Sequence, residues 1–149
     1  MSEETAEIAR SLHAAGMNII VHYRSSAGEA DALVADLNAT RTGSATAAKL
    51  DLDDTAALGG LIEDAVSAWG RLDVLVNNAS MFYPTPVGSI TEQDWDKLFN
   101  SNLKAPLFLS QAAAPHLAEH AGCIINMVDV HAFRPMRKHP VYCSAKAGL

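Results

Sequence analysis

The chain has 149 residues, of which 49% are hydrophobic and 19% charged, and its formal net charge at pH 7 is −6. This composition is typical of one globular domain with a hydrophobic core, and the acidic balance argues against nucleic acid as a main partner. The first residues are acidic and no apolar run is long enough to cross a bilayer, so neither a signal peptide nor a membrane protein is predicted.

Helical and strand patterns alternate along the chain, which predicts an α/β fold with a parallel sheet and helices on both faces. Helices are predicted over residues 3–15, from Ser26 or Gly28, from Asp53 or Asp54 to about Trp69, from Thr91 to about Glu119, and from about Pro140. Strands are predicted over residues 17–23, up to about Leu50, and over 72–76 and 124–128. We expect one partial domain over residues 1–149.

The helix from Thr91 has two local signals. Thr91 and Asp94 have the spacing of a capping box, with Asp in place of the preferred Glu or Gln. Pro106 lies inside the same apolar pattern, and it predicts a bend or a division of the helix.

Tyr142 and Lys146 are four residues apart, shortly after a proline that can open a helix. Positions i and i+4 share one helix face, and an ammonium near a phenol lowers the pKa of the phenol. A tyrosine of this kind can act as a general acid near neutral pH. The alternative is a half-buried aromatic residue beside a surface lysine.

Polar residues follow two of the predicted strands. Residues 72–76 run directly into Asn77, and residues 124–128 run into Asp129. Ligands of open α/β sheets bind beyond the carboxyl ends of the strands. We therefore expect these two strand ends and the start of the last helix to converge on one crevice.

Three motifs together resemble the short-chain dehydrogenase/reductase family: NNAS after a strand, Asn102 in NSNLKAPLF, and YCSAK. That family usually has NNAG and a catalytic serine. Here Ser80 replaces the glycine, and Asp129 stands at the place of the serine, 13 positions before Tyr142 (142 − 129). These departures, with NNASMFYPTP and INMVD, resemble the pteridine reductase branch. The resemblance implies a Rossmann-like doubly wound sheet.

The resemblance implies NADPH-dependent reduction of a pterin or dihydrofolate. Tyr142 would donate a proton, and Lys146 would bind the nicotinamide ribose and lower the pKa of the tyrosine. Asn102 would hold a water linked to Lys146. Asp129 would assist protonation of a ring nitrogen, a task that suits a carboxyl group whose pKa is raised in a closed apolar site; its alternative is a loop-capping aspartate. Phe82 would stack on the substrate ring, and its alternative is a core aromatic.

The end of the strand predicted over residues 17–23 indicates the cofactor. An Arg at this place accommodates a 2′-phosphate, whereas NAD-binding domains have an acidic residue there, so Arg24 favours NADP. The remaining cofactor residues follow from the resemblance. The full set is Tyr23, Arg24, Ser25, Asp51, Leu52, Asn77, Ala79, Ser80 and Lys146.

Parts of the family pattern are missing from this sequence. It contains no G-x-x-x-G-x-G turn before its first helix, and it ends three residues after Lys146. We therefore expect a reductase that is truncated at both ends. The family's usual homotetramer uses the helix after Tyr142, which is short here and disfavours that assembly. Two alternatives are a general carbonyl reductase and an inactive fragment that acts as an interaction partner.

Two further patterns bear on metals and on location. His116 to His120 matches H-x-x-E-H, an inverted zinc-protease pattern. A solvated helix end is the preferred interpretation, because a zinc site needs a third ligand, and no metal is predicted. Cys123 and Cys143 lack metal-like spacing, which indicates a reducing compartment and a cytoplasmic protein.

Overall fold

The computed structural model describes residues 1–149, which form two compact units, Met1–Asp51 and Leu52–Leu149. Six α-helices and four short β-strands account for most of the chain. The helices are α1 (Glu3–Ala14), α2 (Ala27–Thr40), α3 (Leu58–Trp69), α4 (Glu92–Phe99), α5 (Ala105–Glu119) and α6 (Pro140–Gly148). The strands are β1 (Ile19–Tyr23), β2 (Ala45–Lys49), β3 (Val74–Asn77) and β4 (Cys123–Asn126).

The first unit is a two-stranded parallel sheet with two helices. β1 and β2 pair in register from Ile19 opposite Ala45 to Tyr23 opposite Lys49. Both helices contribute buried apolar residues to one core with the strands. This arrangement is a βαβ unit, since α2 connects the two parallel strands.

The second unit has its own pair of parallel strands. β3 and β4 pair from Val74 opposite Cys123 to Asn77 opposite Asn126. Helix α5 packs against both strands and against α3. Because the two strands are parallel, their carboxyl ends lie side by side, and the chain continues from them into residues 78–90 and 127–139.

The long helix predicted from Thr91 is two helices. The capping box is present: the Thr91 Oγ1 accepts the Asp94 N–H at 3.1 Å, and the Asp94 carboxylate accepts the Thr91 N–H at 3.0 Å. A π-helical turn, Asn100–Lys104, separates α4 from α5. Pro106 lies in the first turn of α5, where its missing N–H is tolerated, so the division precedes the proline.

The predicted α/β class with parallel strands is confirmed, and each strand lies within about three residues of its predicted position. β1 pairs only with β2, and β3 only with β4, so the strands form two small sheets. None of the helices combines the length and the apolarity that a membrane crossing requires.

Gly122 is required where the chain enters β4. A Cβ at this position would lie 2.4 Å from the Asp73 carbonyl oxygen, which is backbone and cannot swing away. We expect Gly122→Ala to lower the free energy of unfolding by about 1–3 kcal/mol, the usual range for overpacking. Urea unfolding followed by circular dichroism measures this change.

Gly60→Ala is the matched control. Gly60 lies inside α3, and an added Cβ there meets nothing within 4 Å. Because alanine is the better helix former, this variant should be as stable as the wild type or more stable by up to about 1 kcal/mol. Equal stability of both variants would contradict the close approach at Gly122.

Candidate active site

Tyr142 and Lys146 lie on one buried face of α6. The helix begins at Pro140, and the side chains of both residues are only 4% exposed. The Lys146 Nζ lies 6.0 Å from the centroid of the Tyr142 ring and donates a hydrogen bond to the Met127 carbonyl at 2.9 Å. The alternative of a surface lysine beside a half-buried aromatic is therefore wrong.

Asp129, the third residue after β4, contacts Tyr142. The Tyr142 hydroxyl donates to the Asp129 Oδ2 at 2.7 Å. The Asp129 Oδ1 accepts the backbone N–H of His131 at 2.9 Å and thereby caps the short 3₁₀ turn Val130–Ala132. Asp129 thus caps a loop and also contacts the tyrosine, so its two interpretations are compatible.

The side chain of Asn102 joins the loop after β3 to the π-helical turn. It is fully buried, and its Nδ2 lies 2.9 Å from the carbonyl oxygens of both Met81 and Leu98. Its Oδ1 accepts the Ser80 hydroxyl at 2.7 Å. Asn102 therefore holds Ser80 and Met81 in place, and its predicted role as a water ligand stays a prediction.

The pKa values of the pair shift in directions that the resemblance did not imply. Burial, followed by the hydrogen bond and the charge of Asp129, raises the pKa of Tyr142, and a hydrogen bond with Ser80 acts in the opposite direction. The His131 N–H, followed by the Tyr142 hydroxyl, lowers the pKa of Asp129. The expected lowering for Tyr142 is wrong, because desolvation and a neighbouring anion both favour the neutral phenol.

Phe82 lies beside this pair and outside the hydrophobic core. Its ring makes an edge contact with Tyr142, with the centroids 4.9 Å apart and the planes at 80°. It also stacks on His139, with the centroids 4.6 Å apart and the planes at 7°. The side chain is 53% exposed, so the alternative of a core aromatic is wrong.

The predicted cofactor residues are distributed over both units. Four of them, Tyr23, Arg24, Ser25 and Asp51, belong to the first unit. Arg24 and Ser25 are exposed between β1 and α2, and Arg24 forms no ion pair. Ser26, at the N-cap of α2, makes no side-chain capping bond; its Oγ accepts a hydrogen bond from the Met1 ammonium, which also pairs with the Glu29 carboxylate in the first turn of α2.

The other cofactor residues belong to the second unit. Leu52 is buried, whereas Ala79 and Ser80 are exposed directly after β3. Asn77 is buried, and its side-chain nitrogen lies 2.8 Å from the Asn126 Oδ1 and 3.3 Å from the Ser110 Oγ. The amide of Asn77 therefore links β3 to β4 and to α5.

The H-x-x-E-H pattern does not form a cluster of metal ligands. No group of three or more His, Cys, Asp or Glu side chains in the chain is arranged to hold a metal ion. The His116 Nε2 instead lies 3.1 Å from a carboxylate oxygen of Glu63 on α3.

Sequence reasoning missed three residues that support the site. The Met127 carbonyl binds Lys146, the His131 N–H binds Asp129, and His139 stacks on Phe82. The contact of His131 had a local signal, since an Asp side chain often accepts the N–H two residues later. The contacts of Met127 and His139 span long stretches of chain and had no such signal.

Comparisons with known proteins identify the family. The model of the short chain dehydrogenase family matches residues 5–149. The chain is 35% identical to pteridine reductase 1 of Leishmania tarentolae and 37% identical to an uncharacterized oxidoreductase of Methylorubrum extorquens, each over 97% of the chain. It is 32% identical to galactitol 2-dehydrogenase of Agrobacterium fabrum over 80% of the chain. The chain belongs to the short-chain dehydrogenase/reductase family.

The chain spans a little over half the length of these relatives. The match covers 63% of the pteridine reductase, 57% of the Methylorubrum protein and 51% of the galactitol dehydrogenase.

The raised pKa of Tyr142 can be measured directly. The absorbance difference at 295 nm between the wild type and Tyr142→Phe isolates the titration of Tyr142, and we expect its midpoint to lie above the ordinary value of 10.0. Asp129→Asn removes the neighbouring negative charge and should move that midpoint to lower pH. Asp96→Asn, on the exposed face of α4, is the control and should leave it unchanged. A midpoint that does not respond to Asp129→Asn would contradict the hydrogen bond.

Proposed function

We propose that this chain carries the proton-donating site of an NADPH-dependent reductase whose substrate is a pterin or dihydrofolate. The observation that carries the proposal is the 2.7 Å hydrogen bond between the Tyr142 hydroxyl and the Asp129 carboxylate, next to buried Lys146. A phenol that is hydrogen-bonded to a carboxyl group suits protonation of a ring nitrogen of the substrate. The similarity to a protein named pteridine reductase supports the same substrate class.

The nicotinamide of a bound NADPH would supply the hydride, and the chain would supply the proton. Asp129 is ionised near neutral pH, because its pKa is lowered. If Tyr142 alone gave up its proton, a phenolate and a carboxylate would face each other at hydrogen-bonding distance, which is unfavourable. The pair must therefore first take up a proton from solvent on Asp129. That proton passes to the Tyr142 oxygen as the Tyr142 proton passes to the substrate nitrogen.

Arg24, just before α2, supports a contact with a phosphate group. Arg24 has no ion-pair partner and Ser25 is exposed beside it, while the Glu29 carboxylate in the first turn of α2 is paired with the Met1 ammonium. An arginine favours a phosphate anion. These features support NADPH as the cofactor in preference to NADH.

A general carbonyl reductase is the second candidate. The observation in its favour is Ser80, which lowers the pKa of Tyr142 and whose hydroxyl donates to the Asn102 Oδ1 at 2.7 Å. A hydroxyl pair of this kind suits a carbonyl oxygen, which needs one proton. Relatives named for sugar alcohols, such as galactitol 2-dehydrogenase, are compatible with this candidate.

The first functional test compares two substrates. We expect Asp129→Asn to lower kcat/KM for dihydrobiopterin by about 10²-fold, the scale of a lost general acid, and to affect a small aliphatic ketone less. Tyr142→Phe should abolish both activities. Equal loss for both substrates with Asp129→Asn would favour the carbonyl reductase, and no NADPH oxidation by a folded chain would favour the inactive-fragment alternative.

The proposed proton uptake by Asp129 predicts that kcat/KM depends on pH. Only the protonated form of Asp129 completes the transfer, and its pKa lies below the ordinary 3.8. Above that pKa the protonated fraction falls about tenfold for each pH unit. We expect kcat/KM for dihydrobiopterin to fall accordingly from pH 5 to pH 8 and to lose this slope in Asp129→Asn. A flat profile for the wild type would exclude proton uptake by Asp129.

The cofactor assignment is tested by binding. Arg24→Ala should raise the Kd for NADPH by roughly tenfold, because a charged contact to a phosphate is lost, and should leave the Kd for NADH unchanged. Titration calorimetry measures both constants. Arg10→Ala is the matched control, since Arg10 lies on the exposed face of α1 near Glu3 and Glu7. An equal effect of the two variants would contradict a phosphate contact at Arg24.

A further inference from the structure

Three aromatic rings form a continuous group at the candidate site. His139 stacks on Phe82 in parallel orientation, and Phe82 in turn makes an edge contact with Tyr142. His139 precedes α6 directly, and Tyr142 lies three positions further on in the same helix. One helix start therefore fixes both neighbours of the Phe82 ring.

His139 is held rigidly from several sides. Its side chain is buried at 8% exposure, and its Nδ1 lies 2.8 Å from the Arg137 carbonyl oxygen. Because a carbonyl only accepts, the Nδ1 carries the proton of this hydrogen bond. The backbone N–H of His139 donates to the Met136 carbonyl, and its own carbonyl accepts the Cys143 N–H at 3.0 Å. Pro140 restricts the backbone further.

Phe82 lacks such constraints of its own. It lies in the loop after β3, and its side chain is 53% exposed. An exposed ring on a loop has several accessible rotamers unless a neighbour selects one. The buried imidazole of His139 covers one face of the ring in the same rotamer in which Phe82 touches Tyr142.

We propose that His139 is a positioning residue, which holds the Phe82 ring against Tyr142 so that a flat heteroaromatic substrate can stack beside the proton donor. The substrate class rests on the proposed function, whereas the positioning itself does not. A stacked aromatic pair contributes a factor of roughly two to ten in an equilibrium constant. The effect of His139 should appear in substrate binding and much less in the chemical step.

The first experiment measures the environment of the Phe82 ring in the chain without substrate. In NMR spectra of protein with ¹³C-labelled phenylalanine, Phe82→Leu assigns Phe82 among the four phenylalanines. We expect His139→Ala to move the Phe82 signals toward the values of a solvent-exposed ring. His139→Phe keeps an aromatic ring at the site and should largely preserve them. His120→Ala, which changes an exposed histidine at the end of α5, is the control.

The second experiment compares substrates. His139→Ala should raise KM for dihydrobiopterin about two- to tenfold with kcat nearly unchanged, and His139→Phe should restore KM. KM for an aliphatic ketone should not respond to either change. If no variant reduces pterin, the proposed function fails, and the NMR result alone decides the positioning.

Three outcomes would overturn the inference. Phe82 signals that stay unchanged in His139→Ala show that another contact holds the ring. If His139→Ala does not fold, the folded His139→Phe variant tests the positioning. Phe82 signals at the values of a solvent-exposed ring in that variant show that stacking does not position the ring. Equal changes of KM for flat and aliphatic substrates show that His139 affects the site generally.

Discussion

The buried side chain of Asn102 is the contact on which the geometry of the second unit's site depends. It has no solvent exposure, and it binds both the loop after β3 and the last turn of α4. A buried amide that loses one partner costs about 1–3 kcal/mol, so the loop and the helix are constrained to move together. The π-helical turn makes this possible, because it brings residue 102 to the point where Ser80 and Met81 pass.

Burial determines the electrostatics of the site more than sequence spacing does. The Tyr142 ring and the Lys146 side chain are both nearly inaccessible to solvent, and the ammonium lies over the ring at 6.0 Å from its centroid. The charge of Lys146 adds to the lowering of the Asp129 pKa. The carboxylate is therefore the group that this cation stabilises, while desolvation keeps the phenol neutral. Lysine and tyrosine are adjacent as the four-residue spacing predicts, and the tyrosine hydroxyl is hydrogen-bonded to the Asp129 carboxylate.

Local patterns were sufficient for most of the secondary structure and for part of the site. The capping box at Thr91 and the helix start at Pro140 depend on residues a few positions apart, and both are present. The family resemblance relates Asp129 to Tyr142 across 13 positions, and the two side chains do meet. The π-helical turn was not predicted, because a helix with one extra residue per turn leaves almost no trace in a hydrophobic pattern.

The directions of the pKa shifts could not be predicted from the sequence either, for a different reason. The spacing of Tyr142 and Lys146 shows that a cation is near, but it does not show how much water is excluded. Desolvation is the largest cause for Tyr142, and it depends on packing by residues from α4, from the loop after β3 and from α6 itself. The desolvation of Tyr142 is a sum over residues that are distant in sequence, so it is determined only in the folded chain.

The two departures from the common family motif both affect the pKa of Tyr142. Ser80 replaces a glycine and Asp129 replaces a serine; the Tyr142 hydroxyl donates to Asp129, whereas the Ser80 hydroxyl donates to Asn102. Ser80 lowers the pKa of the tyrosine, and Asp129 raises it. A donor for a carbonyl oxygen benefits from the first effect alone, whereas a donor for a ring nitrogen benefits from a second proton held on a carboxyl group. The stronger effect of Asp129 on the Tyr142 pKa is the physical basis on which the proposed function prefers a ring nitrogen to a carbonyl oxygen as the proton acceptor.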